Sequence, residues 1–133
     1  MLDGALLYDR LLAPTRIYVK PVLALLQAVE VHGIAHITGG GLLENIPRVV
    51  PEGLEVILHR SRWPQDAVFT WLQRTGAIPD AELYRTFNCG IGMTICVPAA
   101  QADAALASLE AAGAPAMLIG EVQSGTRGVV IEA

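Results

Sequence analysis

The sequence predicts an α/β domain with a mixed sheet and a C-terminal hairpin. Short apolar, partly β-branched segments alternate along the chain with segments of helical spacing, which indicates strands and helices packed in layers. The last two predicted strands are separated only by Gln123-Ser124-Gly125-Thr126-Arg127, a turn-forming segment. A hairpin there would add antiparallel pairing to a sheet whose other strands are linked through helices. The 133 residues have the length of one domain.

The first part of the chain predicts an irregular lead-in and a helix. Residues 1–13 lack a clear period and are expected to be a truncated lead-in or linker, so that the domain spans residues 14–133. The composition of residues 14–20 predicts an extended segment. Pro21 then favours the first turn of a helix, where no amide hydrogen is needed. Apolar residues at helical spacing continue that helix to about Val29.

The next stretch predicts a strand, a glycine loop and a short helix in succession. Residues 34–38 are mostly apolar and partly β-branched, whereas residues 42–46 carry apolar side chains at helical spacing before a proline. Gly39, Gly40 and Gly41 join the two segments. Such a loop presents backbone N–H groups at the positive end of a helix, which favours an anion such as phosphate. The alternative is that the glycines only form a tight turn.

The rest of the chain continues the alternation of strands and helices. In order, the pattern predicts a strand over 54–58, helices over 65–75 and 81–87, a strand over 88–97, a helix over 98–112, and the hairpin strands over 116–122 and 128–132. Gly76 and Gly113 follow helices and are expected to cap them in the left-handed conformation. Trp63 and Trp71 could stack on nucleic-acid bases, but a tryptophan on an apolar face is more often part of a core.

The composition argues against nucleic-acid and membrane binding. Hydrophobic residues make up 53% of the sequence and charged residues 17%, and the net charge is −4 with scattered basic residues. Every apolar run falls short of the roughly 18 residues of a spanning helix. The apolar excess suggests a face that a partner covers.

Cys89 and Cys96 form no CxxC pair. We expect them to be reduced thiols of a cytoplasmic protein, on opposite faces of one strand, and not metal ligands.

Candidate binding residues surround the glycine loop. His36 precedes Thr38 at the lip of the loop, and Glu44 and Asn45 follow the loop. His36 is either a ligand or a core histidine, and Glu44 is either a ligand or a charge that stabilises the first helical turn. Arg16 and Lys20 are either phosphate ligands or solvated charges. The sequence contains no GxSxG, P-loop or HExxH motif. It therefore shows no complete active site, and the catalytic residues stay unknown.

Longer motifs resemble a known family. Residues 14–20, 32–51, 71–73 and 84–93, in this order, resemble the C-terminal domain of aminoimidazole ribonucleotide synthetase, the phosphoribosylformylglycinamidine cyclo-ligase of de novo purine biosynthesis. The resemblance spans about residues 11–132. It implies the layered α/β fold of that family. It also implies an ATP-dependent ring closure that converts formylglycinamidine ribonucleotide to aminoimidazole ribonucleotide.

The resemblance further implies a site and partners. It assigns the substrate phosphate to a loop made of His36, Thr38, Gly39, Gly40 and Gly41, with Asn88 and Gly90 as a weaker second element. ATP and magnesium are implied to bind mainly to an N-terminal domain, which in the family precedes this domain and forms the core of a homodimer. The chain then corresponds to an isolated C-terminal half that binds no cofactor tightly and is inactive alone. The alternative is a non-catalytic phosphate- or partner-binding module with the same fold.

Overall fold

The computed structural model describes Leu2 and residues 4–132, which form two sheets with helices packed around them. The α-helices are α1 Leu7–Leu11, α2 Val19–Ala28, α3 Gly41–Asn45, α4 Ala67–Gly76, α5 Asp80–Thr86 and α6 Ala102–Ala111. The strands are β1 Gly33–His36, β2 Leu54–His59, β3 Met93–Cys96, β4 Gly120–Ser124 and β5 Val129–Glu132. Short 3₁₀ helices lie at Ile46–Val49, Arg60–Arg62 and Ala99–Gln101. The predicted α/β class is confirmed.

The larger sheet is mixed, as predicted, but its strand order differs from the prediction. β2 lies in the centre, with β4 antiparallel on one side and β5 parallel on the other. The predicted C-terminal hairpin is wrong, because β4 and β5 flank β2 and do not pair with each other. The connection between them passes the end of β2, where the Gly125 N–H donates to the Gly53 carbonyl over 2.9 Å. Residues 56–58 of β2 are all buried, as suits a central strand.

The second sheet consists of β1 and β3, paired antiparallel from Gly33 opposite Cys96 to His36 opposite Met93. The predicted strand over 88–97 is shorter in the structure, because residues 88–92 form a turn. Cys89 lies in that turn with a φ of 50°. The two cysteines therefore do not lie on opposite faces of one strand. Both are free, Cys89 buried and Cys96 half-buried.

The core lies between β2, β1 and the helices α3 and α5. The buried side chains that form it are Ala35, Ile37, Leu42, Ile46, Val50, Val56, Leu58, Trp63, Leu83, Tyr84, Cys89 and Ile91. Trp63 is thus a core residue, while Trp71 is half-buried. Helices α2 and α6 pack against each other. Leu25 of α2 is fully buried, but Leu23 and Leu26, which the sequence places in the same apolar stripe, are exposed.

Several element ends differ from the predicted ones. Helix α2 begins two residues before Pro21. Proline at this position removes no hydrogen bond from the helix, because the N–H groups of the first turn have no acceptor within the helix. Gly76 is the last residue of α4, and Ala77 adopts the left-handed cap with a φ of 47°. Gly113 follows α6 in the left-handed conformation, as predicted. In the part of the chain that the structure describes, none of the helices combines the length and apolarity needed to cross a membrane.

The lead-in contains α1, which packs on α4. Met1 and Asp3 of the predicted lead-in, and Ala133 of the predicted domain, lie outside the described residues. The division at residues 13 and 14 stays a prediction.

Candidate phosphate-binding site

Two loops meet at one end of the β1–β3 pair. The glycine loop, residues 38–41, follows β1, and the second loop, residues 88–92, precedes β3. The Ile37 N–H donates to the Gly92 carbonyl over 2.9 Å and so joins the start of one loop to the end of the other. The sequence-predicted site residues therefore lie in one region of the fold, although Gly41 and Asn88 are 47 positions apart in the chain.

The glycine loop is held by one buried side chain, Asn45. Its Nδ2 donates to the carbonyl oxygens of Thr38, Gly39 and Gly41 at 3.3, 3.2 and 2.8 Å. The Thr38 carbonyl also accepts the Gly41 N–H at 3.0 Å, which closes a turn. Asn45 is 5% exposed. The carbonyls of the loop therefore point toward the interior of the domain.

This orientation of the carbonyls determines where the amide hydrogens point. In a planar trans peptide the N–H is antiparallel to the preceding C=O, and the described chain contains no cis peptide bond. The N–H groups of Gly39 and Gly40 consequently point away from Asn45. Outward N–H groups beside left-handed residues can donate to an anion. Helix α3 has only five residues, so the peptide groups of the loop, and not a long helix dipole, supply the positive potential.

The three glycines are required for different reasons. Gly41, with a φ of 54°, packs so that a Cβ would overlap the Tyr84 carbonyl oxygen and lie 2.7 Å from that of Phe87. Gly40 has a φ of 98°, which favours glycine whatever its surroundings. Gly39 has neither constraint, since a Cβ there would meet no atom within 4 Å. The fold therefore explains Gly40 and Gly41 but not Gly39.

The second loop is a tight turn around Asn88. The side-chain Oδ1 of Asn88 accepts the Gly90 N–H at 3.0 Å. The main-chain carbonyl of Asn88 accepts the Ile91 N–H at 2.9 Å. Gly90 has a φ of 92°. The oxygen of the Asn88 side chain is thus used inside the turn, which leaves Nδ2 as the group that can donate to a ligand.

A large cavity beside the two loops contains some of the predicted residues and not others. His36, Thr38, Asn88 and Gly90 line it, whereas the three loop glycines do not. The exposed His36 ring packs edge-on against Tyr18, with ring centroids 6.0 Å apart. His36 is therefore not a core histidine.

Two basic side chains, Arg16 and Arg62, line the same cavity. The sequence singled out Arg16 but not Arg62, whose position depends on the course of the chain after β2. Asn45 is among the candidate binding residues predicted from the sequence, but the sequence did not predict that its side chain holds the loop. An asparagine in a short helix, just after a glycine run, was the available signal, because asparagine in helices tends to bond to backbone groups.

The charged groups next to the loops have mixed effects on an anion. The Glu44 carboxylate lies against Gly40, where a Cβ would come within 2.8 Å of Oε2. Its charge opposes a bound phosphate. Arg60 donates to the Trp63 carbonyl and to Gln65 Oε1, both at 2.7 Å, and its guanidinium lies over the Trp63 ring. Arg60 therefore supports the core and is not free to bind a ligand.

The cysteine behind the second loop is not poised as a nucleophile. Burial raises the pKa of the Cys89 thiol to about 11, although the nearby Arg60 charge acts in the opposite direction. Burial also raises the pKa of Cys96. Within the residues that the structure describes, His, Cys, Asp and Glu side chains nowhere form a group of three that could hold a metal ion.

Comparisons with known proteins place this geometry in context. The family described as "AIR synthase related protein, C-terminal domain" matches residues 2–132. The chain is 57% identical over 125 residues to proteins named phosphoribosylformylglycinamidine cyclo-ligase from Burkholderia vietnamiensis and Burkholderia ambifaria, and 56% identical to one from Burkholderia multivorans. Each match covers 94% of this chain but only 36% of the relative. The chain thus spans about a third of the length of these relatives.

Proposed function

Since the chain belongs to the AIR synthase related protein family, as its C-terminal domain, we propose that it forms the substrate-phosphate side of a phosphoribosylformylglycinamidine cyclo-ligase. This enzyme of purine biosynthesis would close the imidazole ring of aminoimidazole ribonucleotide from formylglycinamidine ribonucleotide. The 57% identity to proteins with that name supports the activity. The partner we propose is the N-terminal domain of the same polypeptide, in a cytoplasmic homodimer.

The observation that carries the site proposal is the orientation of the glycine loop. Asn45 turns three carbonyls inward, so that the N–H groups of Gly39 and Gly40 face outward, where they can donate to phosphate oxygens. Gly39 is the residue whose lack of a side chain the fold does not explain. A ligand that approaches the backbone closely would explain why residue 39 is a glycine.

The other site residues have supporting roles in the proposal. Thr38 and His36 would contact the phosphate or the ribose from the edge of the loop, and Asn88 would donate through Nδ2. Arg16 and Arg62, which line the same cavity, would supply positive charge near the substrate. We assign no residue of this chain as a general base.

ATP and magnesium belong to the preceding polypeptide in this proposal, as the resemblance implies. When bound there, ATP supplies the phosphoryl group that activates the formyl oxygen for displacement by the internal nitrogen. In this proposal, the role of the chain is to bind the phosphate end of the ribonucleotide. Fixing one end of the substrate reduces the freedom of the reacting end, and so contributes to the rate.

The activity is tested by joining this chain to the part of the Burkholderia vietnamiensis relative that precedes the match. The fusion should form aminoimidazole ribonucleotide when ATP and magnesium are present, whereas the 133-residue chain alone should not. A fusion that folds and dimerises but shows no turnover would favour a non-catalytic binding module. Turnover by the chain alone would contradict the proposal.

The site is tested in the same fusion with Gly39→Val. The valine should raise the KM for the ribonucleotide at least tenfold, because its side chain occupies the space above the outward N–H groups. Gly128→Val is the matched control. At Gly128 a Cβ has its nearest neighbour, the Thr126 oxygen, at an ordinary 3.7 Å. An unchanged KM in Gly39→Val would refute the assignment of the loop.

A further inference from the structure

The large cavity beside the two loops continues between the two sheets as a groove, called the edge groove below. It encloses about 1410 Å³. Residues 93–97, which include β3, form one wall, and residues 114–122, which include the start of β4, form the other. Side chains from α2, β2 and α6 line the rest, among them Leu25, Leu58 and Leu109. Packed domains contain few voids larger than a water molecule, so an apolar groove of this size is a candidate surface for another group to cover.

One wall of the edge groove presents backbone groups of β3. The Ile37 N–H donates to the Gly92 carbonyl, and in an antiparallel pair the residues that bond to the neighbour alternate. Thr94 therefore faces β1. Met93 and Ile95 direct their N–H and C=O groups away from β1, toward the groove. Among the described residues, no strand other than β1 pairs with β3.

The opposite wall presents the edge of β4. The His59 N–H donates to the Ile119 carbonyl over 2.8 Å, so by the same alternation Glu121 faces β2. Gly120 and Val122 then direct their backbone groups away from β2. Apolar side chains beside this edge are exposed: Met117 by 45%, Leu118 by 53% and Val122 by 40%.

We propose that the edge groove receives one extended segment of the polypeptide that precedes this domain, and that this segment adds as a β-strand along β3, between β3 and β4. An extended peptide offers backbone donors and acceptors for both edges and apolar side chains for the floor, which no small polar ligand does. Two separate sheets would become one continuous sheet. The free edges would then be covered.

The source of the segment follows from the course of the chain and from its relatives. Residues 13–16, which lead into α2, line the edge groove. The residues before them form α1, which packs on α4, so the preceding polypeptide would return to the groove from there. The matched relatives carry 64% of their length outside the match, since the match covers 36%. The inference rests on the partner proposed above, the rest of the same polypeptide, and does not depend on phosphate binding at the glycine loop.

Amide hydrogen exchange tests the inference directly. The ¹⁵N-labelled 133-residue chain is mixed with the unlabelled part of the Burkholderia vietnamiensis relative that precedes the match. Exchange at Met93 and Ile95 should slow at least tenfold, whereas the Thr94 amide, which already faces β1, should change little. Binding without protection at Met93 and Ile95 would overturn the inference while leaving the partner proposal intact. A lack of binding would overturn both.

A pair of variants separates backbone pairing from side-chain contact. Ile95→Pro removes the groove-facing N–H without touching the β1–β3 bonds, as prolines on edge strands do. Ile95→Ala shortens the side chain but keeps the N–H. The proline variant should bind the preceding part about tenfold more weakly than the alanine variant. Equal affinities would overturn the inference.

Self-association is the remaining alternative occupant. If the free chain already protects Met93 and Ile95 in a concentration-dependent way, a second copy occupies the groove and the inference is wrong. The exchange measurement on the parent chain needs no variant, so it decides the question even if Ile95→Pro fails to fold. Phosphate binding at Gly39 and Gly40 is monitored at different amides and stands or fails separately.

Discussion

Replacing Asn45 with alanine should destabilise the domain and disorder the glycine loop. The Asn45 amide group has two hydrogens and shares them among the carbonyls of Thr38, Gly39 and Gly41. Two hydrogen bonds from a buried donor contribute about 0.5–1.5 kcal/mol each. The alanine variant should therefore lose about 2 kcal/mol of unfolding free energy, which corresponds to a fall in Tm of roughly 8 °C for a domain of this length.

Urea denaturation and thermal unfolding followed by circular dichroism measure this loss. Gln123→Ala is the control, because its Nε2 donates to Glu55 in an exposed pair and its removal should change stability by less than about 0.5 kcal/mol. Asn45→Asp should be worse than Asn45→Ala, since a carboxylate would face three carbonyl oxygens. If Asn45→Ala is as stable as the parent, or Asn45→Asp matches Asn45→Ala, the account of the loop is wrong.

Three other predictions concern the same region. Gly41→Ala should lower the free energy of unfolding by more than about 3 kcal/mol or prevent folding, since its Cβ would overlap the Tyr84 carbonyl. Gly39→Ala should lower it by less than about 1 kcal/mol in urea denaturation. Equal losses in the two variants would contradict this. Glu44→Gln should strengthen phosphate binding about two- to fivefold at low salt and less at high salt, because a negative charge beside Gly40 is removed; unchanged affinity at low salt would count against phosphate at this loop. Since burial raises the pKa of Cys89 to about 11, its contribution to stability is complete below the ordinary thiol pKa and declines as the pH rises from about 9 to 11. Cys89→Ala should flatten that decline, and an equally steep decline in the variant would refute the assignment.

Local patterns predicted most of the elements but not how the strands are ordered. The apolar segment 54–58 and the helices over 65–75 and 81–87 depend on periodicity within a few residues, and the structure contains them with shifts of a few residues at their ends. The hairpin prediction failed because a turn sequence does not specify which strand lies between its arms. β2 lies between β4 and β5 because it pairs with both strands, whose residues are more than 60 positions away in the sequence.

The site shows the same division between local and long-range information. The strand, glycine loop and helix order predicted a site at residues 38–41, which stays a prediction, whereas the family resemblance was confirmed by the match over residues 2–132. Assigning separate roles to the three glycines required Tyr84, more than 40 residues away in sequence. The role of Asn45 required the folded loop. These contacts are tertiary, so periodicity and motif spacing contain no signal for them.

Phosphate titration of the ¹⁵N-labelled chain tests the central claim most directly. Inorganic phosphate and ribose 5-phosphate should shift the amide signals of Gly39 and Gly40 at millimolar concentration, because two backbone donors contribute little to the binding of an anion. Gly39→Val should abolish the shifts, and Gly128→Val should preserve them. If phosphate moves other amides and leaves Gly39 and Gly40 unchanged, or if Gly39→Val binds as the parent does, the glycine loop is a turn and not a phosphate site.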